Sequence, residues 1–115
     1  MDKPIVWLQC EIKTPPFSAS ARLEAGFLLR RVQRGDKLSM PNCRDMPQIE
    51  SGVHELRIGD ASGISWRIIY FVDRDAILIL EVFKKGTGET PDRIKATCRR
   101  RLTAYRNAAR QGGGE

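Results

Sequence analysis

Three apolar stretches follow one another closely in the middle of the chain, and they constrain its fold more than any other feature. They span residues 53–58, 64–72 and 76–84 and are rich in β-branched and aromatic residues. Only five residues, 59–63, and three residues, 73–75, connect them. A parallel pair would need a crossover of about a dozen residues or more, so these stretches pair as antiparallel hairpins. The sequence therefore predicts three consecutive antiparallel strands.

A helix is predicted on each side of these strands. Ser18 has the position and chemistry of an N-cap for the first helix, and Gly35 offers its C-terminal stop. Thr90 and Pro91 open the second helix as its cap and its first helical residue. This second helix is expected to end near Ala109.

The remaining segments complete a prediction of the fold class. A short apolar run at residues 5–8 predicts a first strand, and residues 36–52 predict a long connection without sustained periodicity. The order strand, helix, three strands, helix gives an α+β domain, with a mostly antiparallel sheet and the helices packed on one face. The other face would then be free to bind a partner. We expect a single domain over residues 1–111 and a flexible tail at 112–115.

The first helix carries two apolar faces. The inward stripe, read at about 100° per residue, consists of Ala21, Ala25, Leu28, Leu29 and Val32. Leu23 and Phe27 lie nearly opposite this stripe, and Arg30 and Arg34 lie beside them. The second patch either packs beneath residues 36–52 or docks a partner protein.

The second helix combines an apolar stripe with a line of cations. The inward stripe consists of Ile94, Cys98, Leu102, Tyr105 and Ala109. Next to it lies a basic ridge made of Lys95, Arg99, Arg106 and Arg110. The ridge is either a solvated face or a surface that contacts RNA.

Composition narrows the classes of partner and of site. The 115 residues include 20 Lys and Arg against 14 Asp and Glu, and this net charge of +6 favours a polyanionic partner without choosing among RNA, DNA, an acidic protein or anionic lipid. Cys10, Cys43 and Cys98 are too widely spaced to indicate a disulfide framework or a zinc site, so we expect reduced thiols and neither metal nor cofactor. No stretch approaches the ~18 apolar residues of a membrane span, and a cytoplasmic protein is expected.

Charged residues on the predicted strands suggest where chemistry takes place. Side chains alternate along a strand, so Glu55 and Arg57 point to the same side. Arg67 on the next strand, together with Lys84 or Lys85 at the end of the last, can join Arg57 in one concavity. Such a cluster of cations suits a reaction at phosphate, where charge builds on oxygen atoms. The alternative is that these arginines only pair with Glu55 and Glu81 across strands.

The amino-acid sequence of this segment resembles that of a known protein family. VHELRI, SWRIIYF and ILILEVFKKG, followed by a basic helix, are similar in order and spacing to the phage-derived, HigB-like toxins of the RelE/ParE superfamily. IVWL and EAGFLLRRVQRG extend the similarity, which runs from about Pro4 to Tyr105. The resemblance implies a compact RelE-like α+β toxin of a toxin–antitoxin system and a partner antitoxin with a helix-turn-helix, as in HigA. It also implies a ribosome-dependent cut in messenger RNA.

The resemblance also implies roles for particular residues. Matched by position, Arg67 and Lys85 contact the scissile phosphate, and Lys84 and Arg57 contact flanking phosphates. Tyr70 is a candidate assistant to the attacking 2′-hydroxyl in metal-independent cleavage. Two further roles are predicted from the residues themselves and not from the resemblance. The charge of the basic ridge predicts contact with RNA and the ribosome, and the apolar patch rimmed by arginines predicts that the antitoxin contacts Leu23, Phe27 and Arg30.

One departure from the family leaves the general base open. Several relatives have a tyrosine or histidine shortly after the basic end of the last strand, but residues 86–90 contain neither. Glu55, His54, Tyr70 and a lysine among other cations remain the candidates.

Two other functions are compatible with the same features. A ParE-like toxin would inhibit gyrase without cutting RNA, and a basic nucleic-acid-binding protein would have no catalysis at all. The FKKG ending and the position of Arg67 favour the nuclease over the gyrase inhibitor. A small helix-turn-helix protein encoded next door would favour a toxin over a simple binding protein.

Overall fold

The three central strands form the predicted antiparallel meander within a five-stranded sheet of order β1-β5-β4-β3-β2. A computed structural model describes residues 2–86 and 88–113. Its elements, in chain order, are β1 (Ile5–Trp7), α1 (Ala19–Gln33), β2 (Cys43–Asp45), β3 (Val53–Gly59), β4 (Ser65–Val72), β5 (Ile77–Lys84) and α2 (Asp92–Gly113). β1 pairs with β5 in parallel, and the other neighbours pair in antiparallel. The predicted α+β class with a mostly antiparallel sheet is confirmed.

The helices cover opposite faces of this sheet, which differs from our expectation that both would lie on one face. α1 packs on the face that carries Leu56, Ile68 and Ile79. α2 packs on the face that carries Ile69 and Leu78. Because β4 and β5 are apolar on both sides, each face needs its own cover. No face is therefore left entirely open, and binding must use the parts that the helices do not reach.

α1 follows its sequence signals closely. The Ser18 hydroxyl accepts a hydrogen bond from the Ala21 amide at 3.0 Å, and Gly35 takes the positive φ of 97° that suits a helix stop. All five residues of the predicted inward stripe are buried. Leu23 and Phe27 are 75% and 63% exposed, so they do not pack beneath residues 36–52.

α2 begins and ends slightly later than predicted. The Pro91 carbonyl accepts from the Lys95 amide at 3.2 Å, so Pro91 rather than Thr90 precedes the first turn. Ile94, Cys98 and Leu102 of the predicted inward stripe are buried, Tyr105 is half-buried and Ala109 is exposed. The helix continues to Gly113 because no proline interrupts it, and residues 114–115 of the expected tail lie outside the described residues.

The connection at residues 36–52 contains a strand that the sequence pattern does not predict. β2 is only three residues long, and its sequence, Cys-Arg-Asp, has no β-like alternation. Its place depends on pairing with β3, in which Arg44 lies opposite Glu55 and Asp45 opposite His54. β2 therefore forms the outer edge of the sheet through tertiary pairing.

Neither helix in the described part of the chain is long and apolar enough to cross a bilayer. All three cysteines are free thiols, and Cys43 and Cys98 are buried.

Candidate functional site

A buried glutamate surrounded by three arginines lies at one end of the sheet, on the face covered by α2. Glu55 has no exposed surface. Its Oε1 lies 3.1 Å from Nε of Arg44, 3.6 Å from Nε of Arg67 and 3.9 Å from Nε of Arg57. Its Oε2 accepts a hydrogen bond of 2.7 Å from the Thr90 hydroxyl. We call Arg44, Arg57 and Arg67 with Glu55 the arginine cluster.

Backbone pairing assembles the arginine cluster. Arg44 on β2 lies opposite Glu55 on β3, and Arg57 lies opposite Arg67 on β4. Glu55 and Arg57 are two residues apart and therefore share a face. Like charges directly opposite one another are destabilising in a sheet. The Arg57–Arg67 pair therefore depends on the carboxylate beside it.

The cluster carries more positive than negative charge. Burial lowers the pKa of Arg67 from its ordinary value, the charges of Arg57 and Arg44 act in the same direction, and Glu55 opposes them. A guanidinium stays protonated at neutral pH in spite of such a shift. Within the part of the chain that the structure describes, the buried Nε atoms of Arg57 and Arg67 lack a hydrogen-bond partner. An excess of charge and of hydrogen-bond donors is what an anion would complement.

The three guanidinium groups differ in how firmly they are held. Nη1 of Arg67 donates to the Ser65 hydroxyl and, at 3.2 Å, to the Trp66 carbonyl. The Arg67 side chain is 10% exposed, whereas Arg44 and Arg57 are 32% and 28% exposed. Arg67 is thus a fixed donor in the buried part of the cluster, and the side chains of Arg44 and Arg57 are partly exposed to solvent.

The two lysines at the end of β5 point in different directions. Lys84 is exposed and lies opposite Trp66, whose side chain belongs to the α1 face of the sheet. The Lys85 amide donates to the Ser65 carbonyl at 2.8 Å, and its ammonium contacts the Gly88 carbonyl. Lys85 therefore lies at the same end of the sheet as Arg67, and Lys84 points to the other face.

Tyr70 is not brought together with the arginine cluster. It is buried on the α1 face, and its hydroxyl lies 3.4 Å from Sγ of Cys43. Burial raises the pKa of Tyr70 well above its ordinary value, and the hydrogen bond with Cys43 adds to the increase. The phenol therefore stays neutral and faces away from Arg67.

A cleft with a volume of about 550 Å³ lies on this same α1 face. His54 lines it, with Nδ1 2.8 Å from Oδ1 of Asp45. Lys3 and Lys37 in its wall are balanced by Asp36 and Asp45. Because these charges cancel, we expect the cleft to attract a polyanion less strongly than the arginine cluster does.

Much of the predicted basic ridge on α2 is tied to residues 46–50. Arg99 contacts the Gln48 carbonyl, and Arg106 forms a two-pronged ion pair with Glu50. The Arg106 guanidinium also lies 5.0 Å from the centre of the Phe71 ring. Lys95 lies 3.8 Å from Asp92, and Arg110 contacts Asn107. The ridge therefore helps hold the helix in place, whatever else it binds.

Two members of the site were missed by sequence reasoning. Arg44 falls in residues 36–52, where no strand was predicted. No sequence pattern therefore indicated that Arg44 lies next to Glu55. Thr90 was assigned to helix capping, whereas its hydroxyl donates to Glu55. Both residues become visible only once β2 and the segment before α2 are placed.

Other chemistries find less support among the described residues. No three His, Cys, Asp or Glu side chains of residues 2–86 and 88–113 are grouped as metal ligands. Burial raises the pKa of Cys10 to about 11 and that of Cys98 to about 12. These thiols are poor nucleophiles at neutral pH because little thiolate is present.

Comparison with known proteins identifies the family of the chain. Residues 15–103 match the family described as phage-derived protein Gp49-like (DUF891). No curated protein and no solved structure matches the chain. The match covers most of the chain, including α1, the whole arginine cluster and the first three turns of α2. The chain therefore belongs to the Gp49-like phage-derived proteins, a toxin family of the RelE and HigB type.

Proposed function

We propose that this protein is the toxin of a type II toxin–antitoxin system and that it cleaves messenger RNA at the ribosome, in the cytoplasm. The observation that carries the proposal is the arginine cluster, in which three guanidinium groups surround one buried carboxylate. Fixed cations in a partly water-excluded site stabilise the charge that develops on a phosphate in the transition state.

The proposed reaction needs no metal ion. The 2′-oxygen of one nucleotide attacks the adjacent phosphorus, and the bond from phosphorus to the 5′-oxygen breaks. A 2′,3′-cyclic phosphate and a free 5′-hydroxyl result, because one proton moves from the 2′-hydroxyl to a base and water donates another to the leaving oxygen. Arg67, held by Ser65 and Trp66, binds the nonbridging oxygens as charge accumulates on them.

The base in this scheme is an amine. Tyr70 and His54 lie on the opposite face, and Glu55 is already engaged by cations and by Thr90. Lys85 is at the Arg67 end of the sheet, and in our proposal its ammonium first releases a proton to water, so that the neutral amine can accept the proton of the 2′-hydroxyl. Orientation of the message by the ribosome supplies much of the remaining acceleration.

The surrounding cations hold the RNA on each side of the cut. Arg44 and Arg57 are partly exposed above Arg67 and bind a flanking phosphate. Lys84, on the other face at the same end of the sheet, reaches a phosphate farther along the strand. Such contacts position the backbone and carry no base preference of their own.

Induction of the chain in cells, with mapping of transcript ends, tests the proposal. We expect new in-frame 5′ ends in translated messages together with growth arrest. Arg67→Ala should abolish both, because loss of one preorganised donor typically lowers the rate by ~10²–10³. Arg74→Ala is the matched control, since it removes an exposed arginine in the β4–β5 turn.

Other outcomes would contradict the proposal. DNA damage without new transcript ends would identify a gyrase inhibitor instead. Growth arrest of wild-type strength in a folded Arg67→Ala variant would reject the arginine cluster as the catalytic site.

A further inference from the structure

The outer surface of α1 presents an unusual combination of apolar and basic residues. Leu23 and Phe27 are 75% and 63% exposed, and they lie directly opposite the buried stripe of the helix. Arg30 and Arg34 are exposed within the same surface. Large exposed apolar side chains rimmed by arginines are typical of the centre of a protein interface.

A groove next to this surface extends it toward β1. The groove has a volume of about 330 Å³, lies between α1 and β1, and is lined by Trp7, Ile12, Arg22 and Gly26, among others. Trp7 is 41% exposed. We call Leu23, Phe27, Arg30 and this groove the α1 docking surface.

Gly26 gives independent support for close approach at this surface. Glycine inside a helix is less favourable than alanine by about 1 kcal/mol. A Cβ built at Gly26 would meet no atom of the described residues within 4 Å, so internal packing does not require glycine there. A glycine at a surface groove lets an incoming backbone or side chain approach the helix closely.

The charge of the surface identifies the kind of partner. Arg22, Arg30 and Arg34 are exposed on or beside it. They outnumber the nearby carboxylates, which are the exposed Glu24 of α1 and Asp2, 2.6 Å from Arg30 with both side chains about half exposed. An acidic segment would meet complementary charge here.

We infer that the α1 docking surface binds the antitoxin, through an amphipathic segment whose apolar side chains meet Leu23 and Phe27 and whose carboxylates meet the arginines. This inference rests on the proposed function, because it takes the partner to be an antitoxin. The surface lies on the α1 face, whereas Arg67 lies on the α2 face. The antitoxin would then neutralise the toxin sterically. It would prevent the toxin from entering the ribosome without contacting Arg67.

The test measures binding and RNA cleavage separately, with the purified product of the adjoining gene as the probe. Phe27→Asp should weaken its binding at least about 30-fold, as expected for an interface hot spot, and leave transcript cleavage intact. Met40→Asp is the matched control, because Met40 is also a large exposed apolar residue, at 57%. It should bind as the wild type does.

Each other result has a defined meaning. Unchanged binding by a folded Phe27→Asp variant, or no binding of the adjoining gene product to the wild type, overturns the inference. A wild-type dimer that Phe27→Asp converts to a monomer would make a second copy the occupant and overturn it as well. If Phe27→Asp does not fold, Arg30→Glu provides the same test on an exposed side chain. Binding lost in Phe27→Asp while the wild type cuts no transcript would reject the nuclease and leave the docking surface standing.

Discussion

Glu55 shows how a single side chain can organise a site that is otherwise unfavourable. Arg57 and Arg67 face each other across two strands, and Arg44 approaches from a third. Removing one partner from a buried charge network leaves the others uncompensated, which is strongly destabilising. Glu55 is therefore a positioning residue in our proposal, since it contacts each guanidinium at Nε and leaves the terminal nitrogens of Arg44 and Arg57 for phosphate.

Glu55→Gln tests this role. It keeps the shape and the contact with Thr90 but removes the charge, so we expect the free energy of unfolding to fall by about 1–3 kcal/mol. At a temperature where urea titration shows the variant to be folded, kcat should fall more than KM rises, because the arginines lose their fixed geometry. Glu55→Asp should restore part of kcat. Normal kcat in folded Glu55→Gln would show that the carboxylate is only structural.

The sequence predicted part of this residue-level arrangement. Strand alternation placed Glu55 and Arg57 on one side, and β3–β4 pairing brought Arg67 to them. The distances could not be predicted, because Arg44 arrives on a strand with no sequence pattern of its own. No face could be predicted for Lys84 either, since it depends on the register between β4 and β5, which shifts between Ile69 and Tyr70.

Among the elements, the connection between β3 and β4 fastens α1 to the end of the sheet that carries the cluster. Asp60 accepts hydrogen bonds from the Ser18 amide at 3.1 Å, the Trp66 indole at 2.9 Å and the Ala61 amide at 2.7 Å. Phe17, just before α1, stacks on Trp66 with ring centres 4.2 Å apart. One carboxylate thus joins the start of α1 to the strand that bears Arg67.

This link should depend on pH. Hydrogen bonds from Ser18, then Trp66 and Ala61, lower the pKa of Asp60 well below its ordinary value. The stabilisation is therefore present above the unfolded-state pKa of about 3.9 and is lost as the pH falls toward the lower folded-state pKa. Asp60→Asn should lower the urea midpoint at pH 7, and its difference from the wild type should shrink at pH 3. An equal difference at both pH values would show that charge on Asp60 does not stabilise the fold.

Element existence was easier to predict than element placement. Periodicity and caps located α1, α2 and the three central strands, because those signals are local. The side of the sheet that each helix covers is a tertiary property. Apolar residues on both sides of β4 and β5, such as Ile68 with Ile69 and Leu78 with Ile79, were the available clue that both faces are covered.

For the whole molecule, the two faces of the sheet divide the proposed tasks. The arginine cluster and α2 lie on one face, and α1 with its docking surface lies on the other. Under the proposed function, the net charge of +6 would attract the ribosome over a distance that salt screens, whereas catalysis would depend on the few cations fixed around Glu55. Affinity for the ribosome and the rate of the cut should therefore respond to different residues.

The basic ridge of α2 provides the test of this division. Arg99→Ala with Arg110→Ala should weaken ribosome binding and reduce the slope of log affinity against log salt by about 0.7 for each phosphate that the protein no longer neutralises. The cleavage rate at saturating ribosome should not change. Lys13→Ala, which removes an exposed cation before α1, is the control and should leave the slope unaltered.

Arg106 should behave differently from the rest of the ridge, because a two-pronged ion pair with a carboxylate already engages its charge. Its ion pair with Glu50 and its contact with the Phe71 ring tie α2 to β4 and to the segment before β3. Arg106→Ala should therefore lower the free energy of unfolding by about 0.5–1 kcal/mol, measured by urea titration, and change the salt slope less than Arg110→Ala does. Loss of the chemical step at saturating ribosome in any of these ridge variants would instead place the ridge inside the active site.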